Sequence, residues 1–291
     1  MARSTAVFIA LSLLFSSMLT GASNATELVP GAAWRTLDPT GAGWSTERLK
    51  DAEAWARQID LTAVMVVHHG AVLWERGDTS AKTPLASVRK GLLSPLIGIA
   101  VERGQINLDQ SIGELGIDDN EPSLTAEEKT ATVRQLLQAR CGIYHPALFE
   151  SPDMAAKRPA RLSHKPGTFW YYNNWDFNAL GTICEHATVH SIFDAFERDI
   201  AQPIGMQDYR HTDGRYITGP ASVHPAYAFD MSARDLARFA LLYLRRGSWE
   251  GRETYRHTGS TKARSLIRRR IMRQATDICG GSGSTMRWRR E

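Results

Sequence analysis

Residues 63–78, AVMVVHHGAVLWERGD, form two β-rich runs around His69-Gly70. That pattern predicts an antiparallel hairpin. The next long segment, SVRKGLLSPLIGIAVERG (87–104), predicts an apolar helix stopped by Gly104. Pro95 inside it removes one backbone hydrogen bond and should kink the helix. A run of helices and loops follows before the chain turns back toward more structure. A sheet opened by a hairpin and completed only near the C-terminus must be split in sequence. The predicted class is α/β (α+β): an antiparallel sheet flanked by helices, with a helical domain inserted at about 105–220.

Local signals place the other elements. Ser45 can cap a helix over 46–59, with Leu49, Ala52, Trp55, Ala56 and Ile59 on one face. Thr132-x-x-Gln135 is a capping box opening VRQLLQARCG, which Gly142 closes. Residues 146–170 read as loop, and 175–187 as helix. Ser232-x-x-Asp235 is a second capping box, opening a helix with Leu236, Phe239, Ala240 and Tyr243 on one face. GSWEGRE, after it, reads as a turn.

The two ends differ from this middle. Arg3, the apolar run 6–19 and the small residues ending at Ala25 predict a signal peptide over 1–25. The apolar run is too short to span a bilayer comfortably, which disfavours an uncleaved anchor. The expected product is periplasmic or secreted, with no membrane span after cleavage. Residues 257–291 carry eight Arg and one Lys against Asp277 and Glu291, a net +7, so 1–256 is −3. The basic character belongs to the tail, so it says little about a nucleic-acid face on the main domain, 26–256, and no nucleic-acid partner is expected. Cys141, Cys184 and Cys279 have neither a disulfide framework nor zinc-ligand spacing. No metal or cofactor is expected.

Of the seven lysines, Lys90 alone has a serine three positions before it, Ser87. Alone, the motif also fits an N-capping serine and a solvent-facing lysine. Its setting adds weight. Ser87 stands where a helix begins, so free N–H groups and the positive helix end face its hydroxyl. Lys90 lies one turn on, on the same face. In an apolar helix a lysine loses solvation, so its neutral form becomes accessible and can take the serine proton.

A second cluster, PGTFWYYNNWDFNALG (166–181), sets six aromatic residues around Asn173 and Asn174. It resembles the Tyr-x-Asn element of the serine β-lactamase and penicillin-binding superfamily, most closely the class C and esterase-like branch. The Gly seven residues past Asn174 selects Tyr172-x-Asn174 over the neighbouring pair. TVRQLLQARCGIYH resembles that branch's Leu-Leu-x-x-x-Ser-Gly stretch, with Cys141 in place of the usual serine. MSARDLARFALLYLRRGSWEG resembles its late helix and turn.

The resemblance implies a serine hydrolase acting on an ester, amide, D-amino-acid peptide or β-lactam carbonyl. Ser87 would form the acyl-enzyme. Lys90 and Tyr172 would share base and acid work, with a charged lysine favouring phenolate. Asn174 would bind substrate or orient Lys90. Trp170 and Trp175 would wall the acyl pocket or simply pack. The implied partner is a small-molecule or peptide acyl substrate. The alternative is a catalytically inactive acyl-binding module.

The branch also needs a late strand bearing Lys-Thr-Gly or His-x-Gly. His257-Thr258-Gly259 matches the letters, but no β-patterned run surrounds it. Degenerate codons for 256–264 and 274–281, read one base early, permit runs like those the family shows after this turn. A frameshift near 255–256 is therefore expected, with 257–291 out of frame and the last strands missing. A chain lacking them is expected to fold poorly or turn over slowly.

Overall fold

The structure, a computed structural model, describes residues 29–255. The expected signal peptide, the basic tail and His257-Thr258-Gly259 lie outside the described residues. The architecture is mixed α/β with antiparallel strands and flanking helices, in the order α1 (Thr46–Ala56), β1 (Ala63–His68), β2 (Ala71–Gly77), β3 (Lys82–Pro84), α2 (Arg89–Glu102), α3 (Val133–Leu137), α4 (Pro152–Ala156), α5 (Trp175–Thr188), α6 (Ile192–Phe196), β4 (Gly214–Ile217), β5 (Ala226–Ser232), α7 (Ala233–Leu244), β6 (Ser248–Trp249) and β7 (Arg252–Glu253).

The hairpin forms where the pattern predicts it. β1 pairs β2 antiparallel, and the turn uses His69 at φ 49° and Gly70 at φ 81°. Two successive positive φ values match the twist of the strands they join. The remaining strands are short. β5 lies between β3 and β4, pairing Lys82 with Ser232 and Gly214 with Phe229. Among the described residues β1 carries β2 on one edge and no strand on the other.

Helix α2 is the centre of the core. Leu92, Leu93, Leu96, Ile97 and Ala100 are buried, packed with residues of α5, α6 and β5. Gly181 lets α5 approach β5: a Cβ there would meet the Tyr227 ring at 3.0 Å. Ser232 caps α7 as expected, accepting from the Asp235 N–H. Asp235 itself is turned elsewhere. Its carboxylate accepts from the N–H groups of Gln207, Asp208 and Tyr209 at 2.7–2.8 Å. Both partners of the Thr132–Gln135 box are in place, but α3 stops at Leu137.

The expected helical region, about 105–220, holds α3 to α6, short apart from α5, with loops between them and β4 near its end. Two local expectations are corrected. The loop 146–170 contains α4, capped by Ser151 with Pro152 at its first position. The helix expected over 46–59 ends at Ala56, and its apolar residues form no core face among the described residues: Ala56 is buried, but Trp55 is 62% exposed and Ile59, beyond the helix, 41%.

Candidate active site

Ser87 lies in a one-turn 3-10 segment, Ala86–Val88, that runs straight into α2. The residue before it, Ala86, has φ 42°, a left-handed conformation that costs a residue with a Cβ. The Ser87 side chain is exposed, whereas Lys90, one turn on, is 7% exposed.

Lys90 draws the site together. Its Nζ lies 3.2 Å from Ser87 Oγ, 2.6 Å from Tyr172 Oη and 2.6 Å from Asn174 Oδ1. It also sits 4.4 Å from the centroid of the Tyr172 ring. The Asn174 amide is committed at both ends, since its Nδ2 donates to the carbonyls of Phe149 at 2.5 Å and Leu148 at 3.4 Å. That pins the oxygen aimed at Lys90. Asn173 braces the next turn, accepting from the Asp176 N–H at 2.8 Å.

The electrostatics favour neutral groups. Burial, and then the neighbouring Arg89 charge, hold the Lys90 amine well below the ordinary lysine range. Burial raises the Tyr172 phenol, while a hydrogen bond with Ser87 and the Arg89 charge pull the other way. Both shifts favour the uncharged forms over the charged lysine and phenolate that the resemblance implies. A neutral amine has a lone pair for the Ser87 hydroxyl proton.

Other expected residues stand differently. Trp170 is half-buried. Trp175 is fully buried, and its indole N–H donates to Asp119 at 2.6 Å. Its ring meets His224 edge-on at 5.5 Å. A side chain so enclosed is packed within the domain. Cys141, in the place of the family's serine, is buried and donates to Asp176 Oδ1 at 2.5 Å. Burial pushes the Asp176 carboxyl up to about 7, while hydrogen bonds from Cys141 and Asn173 oppose the shift. Arg89 lies inside the Ser-x-x-Lys motif but carries no signal of its own in the sequence. It is 1% exposed and donates to Asn178 at 2.8 Å. No metal-ligand cluster occurs among the described residues.

The sequence matches the Beta-lactamase family over residues 47–276, most of its length. The chain belongs to the β-lactamase family. Within that family it is 24% identical to Esterase EstB of Burkholderia gladioli over 208 residues, covering 60% of this chain and 52% of EstB. It is 22% identical over 193 residues to Protein flp of Staphylococcus aureus (strain NCTC 8325 / PS 47), covering 58% of this chain and 37% of flp. The chain therefore spans about half or less of these curated relatives. The crystal structure of FmtA from Staphylococcus aureus superposes with a TM-score of 0.53 at 14% identity, over 77% of this chain and 70% of FmtA. At that identity the likeness concerns the β-lactamase-family fold. On that fold the side chains of Ser87, Tyr172 and Asn174 meet at the Lys90 amine.

Proposed function

We propose that the protein is an exported serine hydrolase that opens an ester or amide carbonyl through an acyl-enzyme on Ser87. The observation that carries this reading is the place of the Lys90 amine: buried, 3.2 Å from Ser87 Oγ and 2.6 Å from Tyr172 Oη. Neutral Lys90 takes the hydroxyl proton as Ser87 Oγ bonds to the substrate carbonyl carbon. The tetrahedral oxyanion is met by the Ser87 N–H. On collapse the bond to the leaving group breaks, and the proton passes from Lys90 through the Tyr172 phenol to the departing atom. Water then attacks the acyl-enzyme, giving its proton back along the same pair, and Ser87 is restored.

An ester is the favoured substrate class, supported by the relative named an esterase. Among the described residues the Ser87 N–H is the oxyanion donor that this reading uses, and the loss of one such donor costs on the order of 10²–10³ in rate. Slow hydrolysis of p-nitrophenyl acetate by the full chain, abolished by Ser87→Ala, is expected. Hydrolysis that survives Ser87→Ala would overturn the assignment. No hydrolysis and no covalent labelling would favour an inactive acyl-binding module.

A further inference from the structure

We infer that Arg89 is a positioning residue for this reaction: a buried, uncompensated cation beside Lys90 that keeps the Lys90 amine unprotonated and ready for the Ser87 proton. The inference rests on the acyl-enzyme reading above. Arg89 and Lys90 open α2 side by side and both are buried. Among the described residues no carboxylate forms an ion pair with either. The Arg89 guanidinium lies 4.4 Å from the Tyr227 ring centroid and 5.8 Å from that of Phe149, with Nη2 on Asn178 Oδ1 at 2.8 Å. Its Nε and Nη1 have no hydrogen-bond partner there.

Burying an arginine this way is costly, because rings and one amide replace water without neutralising the charge. A guanidinium stays charged throughout the pH range of a folded protein. The positive helix end adds to the same potential. Two adjacent buried cations therefore repel, and the lysine is the one that can relieve the repulsion by losing its proton.

The other titratable groups around α2 do not cancel this field. Tyr172, ahead of α5, faces Lys90 directly, its hydroxyl oxygen accepting from Nζ at 2.6 Å while burial favours the uncharged phenol. Asp176 of α5 accepts from Cys141 Sγ, and burial raises its carboxyl to about 7, so it carries little charge below that pH. On β5, Tyr227 is a neutral phenol and Asp230 is paired with Arg215. Asp194 of α6 accepts from the Ser191 hydroxyl and lies 4.0 Å from His211 Nδ1. Tyr243 of α7 donates to the Gly91 carbonyl.

The test is the pH dependence of inactivation by a fluorophosphonate, with the adduct located by peptide mass spectrometry on the full-length chain. The rate rises with pH as Lys90 loses its proton. Arg89→Gln keeps a donor for Asn178 and removes the charge. We expect its midpoint to move up by about one pH unit or more, a loss of about tenfold below the midpoint. The high-pH plateau should stay within about threefold of the parent. Asn178→Asp leaves Arg89 in place and neutralises it, and should move the midpoint the same way even if Arg89→Gln does not fold. Asp176→Asn, run beside them because Asp176 titrates near 7, should leave the midpoint alone. An unmoved midpoint in Arg89→Gln or Asn178→Asp, or a shift in Asp176→Asn, overturns the inference while leaving the Ser87 reading intact. Absence of any adduct on Ser87 in the parent chain overturns the reading beneath it.

Discussion

The Tyr243 hydroxyl donates to the Gly91 carbonyl at 3.0 Å, repairing the gap that Pro95 makes in α2. Pro95 has no N–H to give the carbonyl four residues before it. The loose carbonyl sits one residue past Lys90, in the turn that holds the site. Tyr243→Phe should cost about 1–3 kcal/mol, the range for a buried acceptor left unsatisfied. Pro95→Ala restores a donor to Gly91, so the double variant should lose less than the single. Urea denaturation of the four chains measures the coupling, and strict additivity would refute it.

Removing the base should slow acylation without unfolding the chain. Lys90→Met should lower fluorophosphonate labelling by about 10²–10⁴-fold, the usual worth of a positioned base. Tyr172→Phe should keep appreciable labelling but lose turnover of esters with poor leaving groups, which need the relayed proton. Comparing p-nitrophenyl and alkyl esters checks this. Equal losses on both would remove Tyr172 from leaving-group protonation.

Asp176 predicts a pH-dependent stability. Its native carboxyl titrates near 7 against an ordinary value of 3.8. The unfolded chain therefore releases this proton at lower pH than the native state. Stability from this group is full below about 4 and is lost as pH rises through 7. A native carboxyl that holds its proton this much more tightly contributes at most on the order of 4 kcal/mol. Denaturation midpoints of the parent should fall relative to Asp176→Asn between pH 4 and 8. Parallel curves would show that the carboxyl titrates normally.

Trp175→Phe keeps an aromatic ring but takes a donor from Asp119, which also accepts from Ser222 and the Val223 N–H. A loss of about 1–2 kcal/mol is expected, with labelling of Ser87 unchanged. A large change in labelling at full stability would return Trp175 to the site.

The features legible in sequence are those whose cause is local. His69-Gly70 marks a hairpin, and Ser45, Thr132 and Ser232 bond to backbone three residues on. The Ser87–Lys90 pair spans one helical turn. Tyr172 and Asn174 required the family resemblance, since 82 and 84 residues separate them from Lys90. The strands of the β3–β5–β4 sheet were not legible because they are only three to seven residues long and β3 pairs with β5 about 150 residues away. Asp235 reads as half of a capping box, yet its carboxylate gathers the 207–209 turn. The meaning of Arg89 lies in the carboxylate that is not beside it among the described residues, and no sequence pattern marks such a gap.

The central claim is that Ser87 is an activated nucleophile. Its most direct test is fluorophosphonate treatment of the full chain at pH 8, followed by peptide mapping. The account predicts a single adduct on Ser87, absent in Ser87→Ala and strongly slowed in Lys90→Met. An unlabelled chain that is folded by circular dichroism, or an adduct on any other residue, would contradict it.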